Sequence, residues 1–181
     1  MSTFIPPQLP ISVQHVAELI RTPTNDGGII QTAGYNNPGD GGGNSYFYRA
    51  TGRAALVASR NNISLQGGFY INGTGSDDYY EATNKTIINA MQYGAVGGRI
   101  VDATDIFTRM AADCVLYAAG GVEGDNTYQT AKIHIPHGDY RIRYWSLPAP
   151  CLFSGDGYEG TFIIAAPNAG TCDFTASTST S

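Results

Sequence analysis

Ile88-Asn89-Ala90-Met91-Gln92-Tyr93-Gly94-Ala95-Val96-Gly97, continued by Asp102-Ala103-Thr104-Asp105-Ile106-Phe107, is the passage from which the architecture is read. Ile87-Ile88 opens an apolar strand that stops in the glycine-rich Tyr93-Gly98 segment. Asp102 is placed to cap a helix, and Asp105 three residues later is a conservative version of a capping box that also puts negative charge at the helix's positive end. Ile106, Phe107, Met110, Ala111, Cys114 and Tyr117 then fall on one helical face, and Gly120-Gly121 ends the helix.

Downstream the pattern changes to short strands and corners. A polar loop through Glu123, Asp125 and Asn126 leads to Lys132-Ile133-His134-Ile135, which stops at Pro136. His137-Gly138-Asp139 turns into Tyr140-Arg141-Ile142, Pro148 and Pro150 bracket a corner, Leu152-Phe153 follows, and Gly155-Asp156-Gly157 turns into Thr161-Phe162-Ile163-Ile164. Short strands joined by corners, with no helices between them, imply stacked coils of one ladder.

Upstream, Pro6, Pro7 and Pro10 mark residues 1–11 as an extended arm. Ser12 is expected to cap a helix with Val13, Val16, Ala17 and Ile20 on one face, ended by Pro23. Strands are expected at Ile29–Ala33, Ser45–Arg49, Ile63–Gln66 and Phe69–Ile71; Asn36–Asn44 is a long stretch of turn formers, and the loop Gly39–Gly43 within it reads as a mobile hairpin tip. Asp77–Lys85 shows no sustained apolar periodicity and is expected to be a linker. The resulting division is a β-rich unit over 12–76, a linker over 77–85, a stacked-strand unit over 86–170, and a flexible end or lead into further chain over 171–181.

Composition narrows the function classes. The chain has 181 residues, 42% of them hydrophobic, only 14% charged, with 23 glycines and 12 tyrosines, a balance that favours turn-rich β-structure. The net charge of -5, with Lys and Arg scattered singly, offers no stripe for phosphates, so nucleic acid is not an expected partner. No apolar run is long enough to span a bilayer, and Met1–Pro10 lacks the charged and apolar regions of a secretory signal, so synthesis in a cytoplasm is expected. Cys114, Cys151 and Cys172 are too far apart for a local metal site and read as buried free thiols.

The passage Ile88–Gly97 with Asp102–Phe107 resembles the opening of the pectate-lyase-like right-handed parallel β-helix of bacteriophage tailspikes and tail fibres. Ile133–Ile142 and Leu152–Gly157 with Thr161–Ile163 resemble the coils that follow, in the family's order. The sequence departs from the pattern at Gly97-Gly98-Arg99, where an aspartate often follows the first glycine, and in the long loop Val122–Thr130. The Ser12–Ile20 segment and Gly34–Tyr48 around Asp40-Gly41-Gly42-Gly43 also resemble small anchor domains that precede such helices.

The resemblance implies a mainly β chain with two short helices: an anchor followed by the cap and first coils of a β-helix. It implies a homotrimer, docking onto phage tail or baseplate proteins and possible contact with other tailspikes, location in the virion tail, and binding of host surface polysaccharide through downstream regions. A polysaccharide depolymerase acting within this chain, and a non-enzymatic tail adaptor complete at this length, are the alternatives. Coil counting favours attachment: about three or more repeats are needed for a stable solenoid, and Lys132–Thr171 holds at most about two, so further chain or partner subunits are expected.

The carboxylates that could do acid–base chemistry each have a simpler reading. Asp77 and Asp78 are neighbours whose side chains point opposite ways, Asp102 and Asp105 lie at a helix start, and Asp156 sits in a turn. His15, His134 and His137 are not spaced as metal ligands, and Gly39–Gly43 lacks the Lys-Ser/Thr of a phosphate loop. Of Tyr46, Phe47 and Tyr48, alternate members are expected in the core and not on a sugar. No catalytic, cofactor or metal site is expected in these residues, and no enzymatic activity; a full-length continuation could be a depolymerase.

Overall fold

The computed structural model describes residues 9–98, 100–119, 131–147, 151–157, 160–165 and 174–176. Residues 1–8, Arg99, the helix stop at Gly120-Gly121, the loop over 122–130, Pro148, Pro150, Cys172 and residues 177–181 lie outside them.

The first part is a six-stranded sheet. Its strands are β1 (Ile11–Val13), β2 (Ile29–Thr32), β3 (Asn44–Arg49), β4 (Gln66–Gly67), β5 (Tyr70–Asn72) and β6 (Tyr79–Ala82), in the order β1-β2-β3-β6-β5-β4. β1 and β2 are parallel and the other pairs antiparallel. Ile30, Tyr46 and Tyr80 are buried, so the expected alternation around Tyr46 holds: Tyr46 is fully buried, while Tyr48 leans on Tyr80 at 5.3 Å between ring centroids.

Four expectations are corrected in this part. Ser12 does not cap a helix: it pairs with Gln31 in β1, and the helix α1 is only Val16–Leu19, with His15 at its N-cap and the Glu18 carboxylate accepting from the Gln14 N–H at 2.7 Å. The β-branched pair Ile11 and Val13 forms an edge strand before the helical spacing takes effect. The stretch 77–85 is not a free linker, since β6 lies inside the sheet between β3 and β5; its period-two burial of Tyr80 and Ala82 is only four residues long and is flanked by charges. The expected strand at 63–66 shrinks to Gln66–Gly67, because Arg53–Ser59 forms a helix, α2, that was not expected and whose exit turns through Asn61 and Asn62 at positive φ. Three helices therefore occur among the described residues, not two.

Gly39–Gly43 lies, as expected, in the hairpin connection between the antiparallel strands β2 and β3. The Asp40 carboxylate accepts from the N–H groups of Tyr35, Asn36, Asn37 and Gly42 at 2.7–2.9 Å, so one side chain organises the β2–β3 connection from within. Burial works against its charge, but the four donors prevail and hold its carboxyl below the usual range.

The second part is a parallel ladder. β7 (Ile87–Asn89) leads through a 3-10 turn (Ala90–Tyr93) to α3 (Thr104–Ala119), followed by β8 (Ala131–Ile135), β9 (Gly138–Ile142), β10 (Trp145–Leu147), β11 (Cys151–Gly155), β12 (Thr161–Ala165) and β13 (Phe174–Ala176). β8 lies between β7 and β11, β9 pairs with β12, and β10 pairs with β13, all in parallel. The strands thus repeat in groups of three, each stacked on its counterpart, as the alternation of short strands and corners implies. Below the first group, β7 underlies β8, an isolated bridge from Asp102 underlies Arg141 of β9, and α3 packs against β10.

The helix follows the sequence closely. Asp102 Oδ1 accepts from the Thr104 N–H at 3.0 Å, and Phe107, Met110, Ala111 and Cys114 are buried on the expected face; the Tyr117 side chain lies outside the described residues. Asp105 does not complete a capping box; its carboxylate lies 3.3 Å from Arg109 Nε. Phe107 meets Trp145 edge to face at 4.8 Å and Tyr140 at 6.0 Å, and its carbonyl accepts from Trp145 Nε1 at 3.1 Å, tying helix to ladder. One apolar core runs unbroken from Ile30 and Tyr46 through Tyr93 and Phe107 to Ile133 and Tyr140.

Candidate functional site

Two places concentrate chemistry: the junction between sheet and ladder, and the ladder's outer surface. At the junction, Arg60 leaves the end of α2 and reaches α3, where its Nε lies 2.8 Å from Asp113 Oδ1 with both side chains fully buried. Asp113 Oδ2 accepts from the Tyr93 hydroxyl at 2.6 Å. Arg60 also donates to the carbonyls of Ile63 at 3.0 Å and Ser64 at 2.8 Å. One turn earlier on α3, Arg109 donates to the carbonyls of Gln66 and Tyr93. Burial pushes the Asp113 carboxyl above its usual range, opposed by Arg60, Tyr93 and the Phe69 N–H.

Sequence reasoning missed this group. Arg109 and Asp113 stand at i and i+4 beside the apolar stripe of α3, and charges at the margin of such a stripe ordinarily point to solvent. Their partner Arg60 lies 53 residues before Asp113, beyond any local pattern.

On the ladder, Asn89, His134 and Ser154 occupy one column in successive layers. His134 Nδ1 lies 3.1 Å from Ser154 Oγ, and its Nε2 lies 3.4 Å from Asp156 Oδ1. Asp156 also accepts from the His137 N–H at 2.6 Å. A serine, a histidine and a carboxylate thus meet, but layer stacking accounts for the contact: His134 and Ser154 are register partners, and the serine hydroxyl also donates to the Ile133 carbonyl at 3.3 Å. The expected turn role of Asp156 is extended to clamping two layers.

The remaining expected candidates are engaged structurally. Asp77 Oδ atoms accept from the N–H groups of Gly52 and Ala54 at the start of α2, while Asp78 turns inward to the Tyr48 hydroxyl at 3.2 Å, so the two point opposite ways. A 350 Å³ cleft contains Asp102, Thr104, Asp105, Thr108, Arg143 and Tyr144, but Asp102 is paired with Arg143 Nε at 2.7 Å and Asp105 with Arg109. A 580 Å³ cleft lies between Met91, Gly97, Gly98, Asp139 and Phe162. Among the described residues no cluster of three His, Cys, Asp or Glu could hold a metal ion, and no helix is long and apolar enough to cross a membrane. Of the thiols, Cys114 is buried and Cys151 half-buried, both free.

The ladder's last described layer differs from those beneath it. Ile88, Ile133 and Phe153 form an interior column in which Ile88 and Ile133 are 1% and 0% exposed, yet Phe153 is 49% exposed. Leu152 and Phe162 of the same layer are also exposed.

No protein-family model matches the sequence, and no curated protein does. Solved structures do. A tailspike protein of Acinetobacter baumannii bacteriophage Fri1, a capsular polysaccharide depolymerase, superposes with a TM-score of 0.58 at 19% identity over 80% of this chain and 23% of its own. The enzymatically active domain of tailspike protein 2 of bacteriophage CBA120 gives 0.57 at 18% identity over 87% of this chain and 20% of that one. Pantoea stewartii WceF, a glycan biofilm modifying enzyme with a tailspike-like parallel β-helix fold, gives 0.52 at 15% over 88% and 22%. The likeness is one of fold, and the chain spans about a fifth of the length of these structures.

Proposed function

We propose that this chain, with its tailspike-like fold, is the virion-proximal part of a phage tailspike: the sheet unit docks onto tail or baseplate proteins, and the ladder begins the β-helix that leads to host-polysaccharide recognition. The observation that carries this reading is the half-exposed Phe153 on top of a fully buried column. Covering the exposed half of such a ring gains about 1 kcal/mol, so the layer is suited to a further coil or a neighbouring subunit stacked on it. Three copies around a threefold axis would bring such layers together, and the role of these 181 residues is assembly and attachment, not glycan cleavage.

Light scattering on the purified chain at micromolar concentration tests the assembly: a trimer is expected, and a well-folded monomer would count against it. Antibody label against residues 9–76, viewed on virions by electron microscopy, should mark the tail end of a spike and not its distal tip.

The alternative, a polysaccharide depolymerase acting within the chain, is favoured by one observation: the 350 Å³ cleft brings the carboxylates Asp102 and Asp105 together with the exposed Tyr144. Release of reducing ends or unsaturated sugars from capsular polysaccharide by this chain would establish that reading in place of the first.

A further inference from the structure

α3 is shared between two neighbours. Phe107 faces the ladder, through Trp145 and Tyr140. Arg109 and Asp113 face the other way, and their compensating groups come from the segment Arg60–Phe69 and from Tyr93. Asp113 is 0% exposed, and Arg60 is the cation at its side; Arg60 is 1% exposed, and Asp113 is the carboxylate at its side. Arg109, 5% exposed, spends its guanidinium on the Gln66 and Tyr93 carbonyls. A buried ion pair contributes little net stability over an apolar pair, but removing one partner leaves an uncompensated buried charge, which is strongly destabilising. Such a pair therefore acts as an interlock: each half is tolerated in the core only when the other is in place.

We propose that Arg60 and Asp113 form a conformational interlock, through which α3 holds its position over the ladder only while the Arg60–Gln66 segment of the sheet unit is seated. Any event that displaces that segment takes Arg60 from Asp113 and the Gln66 carbonyl from Arg109; Asp113 then stays buried with the Tyr93 hydroxyl but without its cation, Arg109 keeps the Tyr93 carbonyl and Asp105, and α3 is released. Because α3 carries the ring and carbonyl that hold Trp145, the disturbance reaches the ladder. The state of the sheet unit is thus passed to the β-helix by bonds within one chain, and the inference stands whether or not the chain works in a virion.

The single tryptophan is a natural reporter of the ladder, and hydrogen exchange resolves α3 from β2 and β3. In Arg60→Met, exchange in α3 is expected to rise about a hundredfold or more, and the denaturant midpoint read by Trp145 emission to fall, while β2 and β3 keep most of their protection. Arg60→Met combined with Asp113→Leu removes both charges and is expected to restore α3 protection toward that of the unaltered chain. An equal loss of protection in α3 and in β2–β3, an unchanged α3, or a double variant no better than the single one would each overturn the interlock. Should Arg60→Met fail to fold, Arg60→Lys keeps the charge but loses the fork onto Ile63 and Ser64. A selective rise of α3 exchange in that variant supports the proposal, and no rise overturns it.

Discussion

Gly97 and Gly138 cross with their backbones in contact: a Cβ on Gly138 would stand 2.8 Å from the Cα of Gly97, and one on Gly97 would stand 3.0 Å from the Cα of Gly138. Gly138 also has φ +145°, and the next residue of the crossing chain, Gly98, donates its N–H to the Asp139 carbonyl at 2.8 Å. The loop that precedes α3 is thereby pressed onto the start of β9. Gly138→Ala should lower stability by about 2 kcal/mol or more through contact and backbone strain together, Gly97→Ala by less. Gly98→Ala, which meets nothing within 4 Å, should stay within about 0.5 kcal/mol. Thermal unfolding of the three variants gives the order directly.

Phe107 joins helix to ladder through two rings and one carbonyl. Phe107→Ala should cost about 3–5 kcal/mol and shift Trp145 emission to the red in the folded state, since the indole loses its edge-to-face neighbour at 4.8 Å. Urea unfolding followed at the tryptophan measures both.

Acid should weaken the fold through the carboxylates of Asp40, Glu81 and Asp102. Four N–H groups hold Asp40 low against its burial; Lys85 and Arg49 hold Glu81 low, also against burial; the Thr104 hydroxyl and N–H, then Arg143, hold Asp102 low. Each has a folded pKa below its ordinary value of 3.8 or 4.5, so its stabilisation is complete above that value and is lost as pH falls through the lower folded one. Asp113 has the opposite sign, since its raised pKa means that protonation relieves a burial cost, and it offsets part of the loss. Melting temperature is therefore expected to drop below about pH 4. Asp40→Asn should cost about 1–3 kcal/mol at neutral pH and make the acid limb shallower.

Phe153→Ser should cost the isolated chain about 1–2 kcal/mol, because half the ring is in water and the other half meets Trp145 edge to face at 5.1 Å, and weaken self-association if this layer is where copies or coils meet. Sedimentation at several concentrations separates the two effects. Unchanged association would remove Phe153 from the interface.

Much of the ladder was legible because its signals are local: the stripe of α3, the proline after Ile135, and the turns at Gly138 and Gly157 announce themselves within a few residues. The sheet unit was harder to read. β6 is four residues long between charges, and what makes it a central strand is pairing with Tyr46–Arg49 and Tyr70–Asn72, which no window contains. α2 starts at Gly52 with no capping side chain of its own; Asp77, far along the chain, supplies the acceptor. The Arg60–Asp113 pair was invisible for the same reason: a buried charge is recognised only by its partner, and here the partner lies in the other half of the molecule. The cap at Asp102, by contrast, was read correctly, because a helix start is a short-range fact, whereas the parts of Asp77 at the start of α2 and of Asp78 beside Tyr48 depend on partners more than twenty residues away.

Beneath the stack α3 packs against β10 and the Asp102 bridge lies under β9, so among the described residues that side offers the three-residue edge of β7, against the edges of β11, β12 and β13 on the other. That gives the structure a direction of growth, as a filament has when one of its ends is blocked. Each layer takes its register from the one already laid down, Cys151 over Ala131 and Thr161 over Gly138, so an error near the helix would be copied outward, whereas an error in an outer layer would stay where it arose.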